Sequence, residues 1–344
     1  MALRNRPWSL LSAVGTVTIL CLSGCSLLDG GGSSCEAWPK GLAPPGSGPD
    51  AYTMILRVNT EADLEALSSG QLGSEIRDRD ILLVNTEYRR MKPEEARKVF
   101  DRAREVFPCN RIASLNGLNS KKDRPGYLFA LSDEPKLDAV IIDWERSTWE
   151  ETGKVPWSNS LKENVTRAGR ELDRLSRRIV AQPGEPRTRV GLATEYRTGW
   201  DYAELGRQLA LVNSELRQGL LGYQLIQSQN RCGGTRKAAS IAAVSEELQT
   251  QYGKLAREAP DAAAPGQSPA IGREVLNHLG FEISFSVDPK AGSGLAVTRD
   301  SPQDAARCSR DVLRTGSGAI IYWATPQAVG KMLSTPVGRE LGRG

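Results

Sequence analysis

The segment Leu137-Asp138-Ala139-Val140-Ile141-Ile142-Asp143-Trp144-Glu145 decides how this chain is read. It is the short apolar, β-branched run expected of a strand covered on both faces, and it ends in two carboxylates. Side chains alternate along a strand, so Asp143 and Glu145 share one face, about 6.5–7 Å apart at roughly 3.3 Å per residue. Neighbouring carboxylates raise each other's cost of ionisation, so one of a close pair can stay protonated near neutral pH. That is the electrostatic requirement for a general acid in glycoside hydrolysis.

Similar runs recur on either side. Strands are expected at Tyr52–Asn59, Ile81–Tyr88, Arg111–Gly117, Ala139–Glu145, Arg189–Tyr196, Gly222–Ser228, Gly280–Ser286 and Gly318–Ala324. Between most of them lie helical patterns. Pro93–Phe107 carries an early proline and first-turn acids, and Leu161–Ile179, Tyr202–Leu220, Arg236–Arg257 and Pro302–Leu313 have apolar residues at helical spacing. Thr60-Glu61-Ala62-Asp63 opens a shorter helix with Asp in the capping-box position, and Pro326–Leu341 forms the last, broken at Pro336. Strands alternating with helices imply parallel pairing through right-handed crossovers. The expected fold is a single α/β domain over 51–344, a (β/α)8 TIM-type barrel. An open doubly wound sheet is the runner-up, but no Gly-rich phosphate loop follows the first strand. Asn119–Pro135 and Ala259–Pro269 read as loops.

In such barrels chemistry gathers at the C-terminal strand ends. Those ends supply Asn59, Glu87, Asn116, Asp143, Glu145, Glu195, Tyr196, Gln227, Tyr322 and Trp323, a polar and aromatic ring suited to a hydroxyl-rich ligand. From this ring Glu145 and Asp143 are the expected catalytic pair. Trp323, Tyr322, Gln227, Glu195, Tyr196, Asn116 and Glu87 are the expected substrate-binding residues. A retaining glycosidase with a protein nucleophile would need a second acid about 5–5.5 Å from the first. Glu195 and the deeper Glu282 are the candidates, and either is also explained as a buried acid paired with an arginine such as Arg57 or Arg189.

The N-terminus reads as a targeting segment. Arg4 and Arg6 precede an apolar stretch, Trp8 to Leu22, too short and interrupted to favour a spanning helix. Leu22-Ser23-Gly24-Cys25 resembles the lipobox of bacterial lipoprotein signals. The resemblance implies removal of 1–24, diacylglycerol on Cys25, and a membrane-anchored location on the extracytoplasmic side. Ser26 to Asp50 is rich in Gly, Ser and Pro and reads, with Cys25, as a tether over 25–50. The chain's formal charge of +4 loses the two arginines of the signal and comes close to neutral, which gives no case for nucleic acid binding. Cys35, Cys109, Cys232 and Cys308 remain, an even count that suggests two disulfides in an exported chain. Of three connectivities, Cys35–Cys109 with Cys232–Cys308 is favoured. Cysteine spacing matches no zinc motif and His278 is the single histidine, so no metal or cofactor is expected. A monomer is expected, with the bilayer and a polysaccharide as its partners.

The strand that opens this reading also carries a family resemblance. Asp138 to Glu145 resembles the Asp-x-x-Asp-x-Asp-x-Glu signature on the fourth strand of chitinases of glycoside hydrolase family eighteen. Ile142-Asp143-Trp144-Glu145 is similar to the corresponding strand of hyaluronidases. Gly318-Ala319-Ile320-Ile321-Tyr322-Trp323 resembles the last chitinase strand. The resemblance implies a (β/α)8 barrel with substrate-assisted retaining hydrolysis of an N-acetylhexosamine polysaccharide. Glu145 would protonate the glycosidic oxygen, and Asp143 would orient the 2-acetamido group that attacks the anomeric carbon. Trp323 would floor the sugar subsite. Ile141 stands where chitinases carry another Asp, and Gln227 or Tyr223 stands where they carry a Tyr-Asp pair. These departures motivate two alternatives: a catalytically inactive barrel that binds carbohydrate or a cell-envelope partner, and an unrelated barrel in which Asp143 and Glu145 form a structural ion-paired cluster.

Overall fold

The computed structural model describes residues 35, 52–86, 91–117, 137–144, 189–196, 221–227, 232, 240–258, 279–287 and 300–341; for some of these, Asn116, Asp143 and Glu195 among them, it describes the backbone alone. The signal, the tether apart from Cys35, Cys25, Glu87, Glu145, His278 and the helices expected at Leu161–Ile179 and Tyr202–Leu220 lie outside the described residues. The chain divides into Met1–Cys35, of which Cys35 is described, and Glu36–Gly344, which holds the sheet.

All eight expected strands form: β1 (Thr53–Val58), β2 (Ile81–Val84), β3 (Arg111–Gly117), β4 (Ala139–Trp144), β5 (Arg189–Glu195), β6 (Leu221–Gln227), β7 (Leu279–Ser284) and β8 (Ala319–Trp323). Every neighbour pair is parallel, and β8 pairs with β1, which closes the barrel. Register carried once round the barrel, through pairs such as Thr194↔Ile226, Phe281↔Ile320 and Ile55↔Ile81, returns about eight residues out of step, the stagger of an eight-stranded barrel of this type. Closure removes both sheet edges and so satisfies the ladder of every strand.

Strand alternation sorts the apolar residues into two cores. Ile55, Ile81, Leu83, Ala113, Leu115, Ile141, Leu225, Ile321 and Trp323 fill the barrel. Met54, Leu56, Val58, Leu82, Val84, Ile226, Phe281, Ile283 and Tyr322 point the other way, into a layer shared with the helices. Gly280 belongs to the interior packing: a Cβ there would lie 3.2 Å from Leu225 and 3.4 Å from Ala319.

The described helices are α1 (Glu61–Ser68), α2 (Gly70–Glu75), α3 (Pro93–Val106), α4 (Ile241–Glu258), α5 (Pro302–Arg314), α6 (Pro326–Leu333) and α7 (Pro336–Arg339). Their starts follow local chemistry. Thr60 caps α1 by accepting from the Asp63 N–H at 3.2 Å, while Asp63 reaches back to the Asn59 N–H at 2.7 Å. Ser301 and Asp304 form a reciprocal capping box on α5, and Thr325 and Thr335 cap α6 and α7. Gly316, at φ 95°, ends the α5 turn and releases the chain into β8.

The N-terminal end of the barrel is closed by polar side chains. Asp80 accepts from the N–H groups of Met54 and Arg77, both at 2.8 Å, and Asn110 donates to the carbonyls of Arg77 and Asp80. Asp138, at the start of β4, accepts from the Ile112 N–H at 2.7 Å and from Arg104 on α3 at 2.8 Å. Burial pushes the Asp138 carboxyl above the ordinary carboxylate range, against the opposing pull of the Ile112 N–H and Arg104. The first acid of the opening segment therefore ties α3 to β3 at the base, far along β4 from Asp143.

Candidate site at the C-terminal mouth of the barrel

Register places one inward position of each strand near the opposite end. Asp143 pairs with Gly117 on one side and Ala193 on the other, and Ala193 is part of the barrel interior. Glu195 pairs with Gln227, and Ser284 with Trp323. Asp143, Glu195, Gln227, Ser284 and Trp323 therefore stand at the rim from which the strands leave for their helices. Arg57 follows Leu56, which pairs with Tyr322, and so comes beside Trp323.

Trp323 is buried at 7% exposure, and the Arg57 guanidinium lies over its ring at 4.9 Å from the centroid. A buried cation on an indole face contributes about 0.5–2 kcal/mol. Glu282, one alternation below Ser284 on β7, is also buried, and the Ser284 hydroxyl donates to its Oε1 at 3.0 Å. Beneath the rim a small pocket is lined by Leu83, Leu115, Leu225, Gln227, Glu282 and Trp323, with room for about one water molecule. On the β1–β2 side, Asn85 donates to Asn59 Oδ1 at 3.0 Å, and Thr86 donates to the Leu115 carbonyl at 2.6 Å. These bonds fix the turns that leave the two strands.

The expected site residues divide clearly. Gln227 and Trp323 reach the barrel interior. Tyr322 does not: its side chain is fully buried in the outer layer, where its hydroxyl donates to Ser309 on α5 at 3.0 Å and lies 3.3 Å from the Tyr52 hydroxyl. Strand alternation forces this, because a neighbour of the inward Trp323 must point outward. Tyr196 also turns outward: it belongs to the outer layer, and its hydroxyl donates to Glu247 on α4 at 2.6 Å. Neither tyrosine is a substrate-binding residue at the mouth. Asn116, Asp143 and Glu195 hold their strand positions, and their side chains lie outside the described residues, as do Glu87 and Glu145 entirely. Two further interior groups are Arg57, expected only as an acid's partner, and Glu282, expected either as a second acid or as a buried acid paired with an arginine. Their signal was present in the parity of Ile55/Arg57 and of Glu282/Ser284 with apolar residues between.

The cysteines agree with the favoured arrangement as far as they are described. Cys232 is joined to Cys308 with Cα atoms 5.3 Å apart, and Cys35 and Cys109 are each disulfide-bonded. The first bridge fastens the segment after β6 to α5. Nearby, burial and the Asp304 charge push the Asp300 carboxyl upward, opposed by the Cys232 N–H, while the Ser301 hydroxyl holds Asp304 below the usual range. Among the described residues, no cluster of three or more His, Cys, Asp or Glu could hold a metal ion, and no helix is long and apolar enough to cross a membrane.

No protein-family model matches this chain, and neither does any curated protein. Among solved structures it is similar to FabK from Thermotoga maritima, at 12% identity and a TM-score of 0.35, over 82% of this chain and 60% of that one. It is also similar to dihydropteroate synthase from Thermus thermophilus in complex with 6HMPPP, at 11% identity and a TM-score of 0.40, over 88% and 96% of the two chains. This chain thus spans about three fifths of the FabK chain. The class is defined by the closed parallel strand order itself: this is an α/β protein of the (β/α)8 TIM-barrel type.

Proposed function

We propose that the protein is a lipid-anchored, extracytoplasmic barrel whose C-terminal mouth acts on an N-acetylhexosamine-containing polysaccharide. One observation carries the reading. The strand that carries Asp143 and ends at Trp144, the residue before Glu145 in sequence, is a member of a closed (β/α)8 barrel, and its C-terminal end is the end where such barrels assemble their chemistry. In this reading Glu145 donates a proton to the departing glycosidic oxygen. Asp143 polarises the substrate's 2-acetamido group, whose carbonyl oxygen attacks the anomeric carbon, and water later opens the resulting ring. Gln227 supplies an amide at the opposite wall. Cys25 carries the lipid that holds the barrel at the membrane surface.

The test is a turnover screen of purified protein against chitin, peptidoglycan and hyaluronan fragments, with Glu145→Gln alongside. A loss of about 10²-fold or more in kcat in the variant supports Glu145 as the general acid. Activity equal in both proteins removes it from that role.

A second reading is favoured by the packing of Trp323. One face of its ring is covered by Arg57, and the pocket it lines beneath the rim has room for about one water. Those features suit a barrel that binds carbohydrate or a cell-envelope partner across its rim without hydrolysing it. Retained oligosaccharide binding with no turnover by the wild-type protein would select this reading.

A further inference from the structure

The β5–β6 pairing contains a register shift: Val190 stands opposite Leu221, but Leu192 stands opposite Gln224. A bulge of this kind bends the pair locally. Above it β5 and β6 run in step from Leu192↔Gln224 to Glu195↔Gln227, and β5 stays in unbroken register with β4 from Arg189 to Thr194.

Among the bonds of Tyr196, the residue after β5, two hold this end of the strand. Its N–H donates to the Gln227 carbonyl at 3.2 Å, one step beyond the Glu195↔Gln227 pair. Its buried phenol donates to Glu247 Oε2 at 2.6 Å, the ordinary length of a charge-assisted hydroxyl–carboxylate bond. Glu247 is steadied in turn by Gln251, which donates to its other oxygen at 3.1 Å. Val244, Leu248 and Tyr252 of α4 are buried in the outer core, so the acceptor rides on a packed helix.

We propose that Tyr196 and Glu247 form a clasp that ties the paired ends of β5 and β6 to α4, which makes both of them positioning residues for Glu195 and Gln227 at the mouth. The functional half of this inference rests on the mouth being the ligand site; the structural half does not. Glu247 is exposed on the outside of the barrel and would act on the mouth through Tyr196.

The experiment uses the full chain with Tyr196→Phe, Glu247→Ala, Glu247→Gln and the double variant Tyr196→Phe/Glu247→Ala. Backbone amide exchange should rise about tenfold at residues 193–196 and 225–227 in Tyr196→Phe and Glu247→Ala, with the melting temperature within about 2 °C of wild type. Glu247→Gln, which keeps an acceptor, should stay near wild type, and the double variant should be no worse than either single one. Unchanged rim exchange, or exchange that rises equally at the barrel base, overturns the clasp. With chitotetraose as probe, kcat should fall about tenfold in Tyr196→Phe with KM within twofold; an unchanged kcat overturns the positioning role. A wild-type protein that does not turn over or bind the probe counts against the proposed function, and the exchange result still decides the clasp.

Discussion

Arg57 and Trp323 sit on neighbouring strands, β1 and β8, and the guanidinium of one covers the ring of the other at 4.9 Å. The contact joins the first and last strands of the barrel at its mouth, the seam where the sheet closes on itself. Both side chains are buried, at 4% and 7% exposure. Arg57→Met keeps much of the stem's packing and removes the charge. It should lower stability by about 0.5–2 kcal/mol and change the Trp323 contribution to fluorescence, read as the difference from Trp323→Phe. Urea unfolding and emission spectra check both.

Asp138 gives the base of the barrel a definite pH signature. Its folded pKa is raised by burial, so its contribution to stability is fully present below the ordinary carboxylate pKa of about 3.9 and is lost as pH rises through the folded value. The stability difference between wild type and Asp138→Asn should therefore shift in favour of wild type as pH falls from 6 to 4. Asp138→Ala at neutral pH strands the Ile112 N–H and Arg104. It should cost about 1–3 kcal/mol in chemical denaturation.

Asp304 behaves in the opposite sense. The Ser301 hydroxyl lowers its pKa, so its contribution is present above the unfolded value and is lost as pH falls through the folded one. Ser301→Ala removes that capping partner from α5 and should cost about 0.5–2 kcal/mol at neutral pH. The loss should shrink in acid, which a denaturation series from pH 7 to pH 3 would follow.

The Cys232–Cys308 bridge closes a loop with a sequence separation of 76. The paired replacement Cys232→Ser/Cys308→Ser should lower stability by about 2–5 kcal/mol, measured as the shift in urea midpoint against the oxidised wild type.

The fold was legible because each strand is a short buried run bounded by turn residues. β3 spans the expected Arg111–Gly117, and the other strands end within a few residues of their expected bounds. The long gap between β3 and β4 did not obscure the rhythm, since parallel strands are recognised by composition rather than by spacing. The rim was less legible. Tyr322 and Trp323 are adjacent, and one apolar strand end looks like two aromatic site residues until alternation assigns them to opposite faces. Tyr196 follows the inward-register Glu195 and so points outward by the same alternation, and its partner Glu247 is 51 residues away. Glu282 sits in the barrel interior because Phe281 and Ile283 fill the helix side, a distinction that hydrophobicity alone does not draw.

The most direct test of a mouth-centred function is an amide-exchange footprint of the intact protein with and without saturating chitotetraose. Protection concentrated at residues 142–145, 225–228 and 322–324, with the base around Asp80, Asn110 and Asp138 unchanged, is the predicted result. Protection at the base, or none at any strand end, would contradict it.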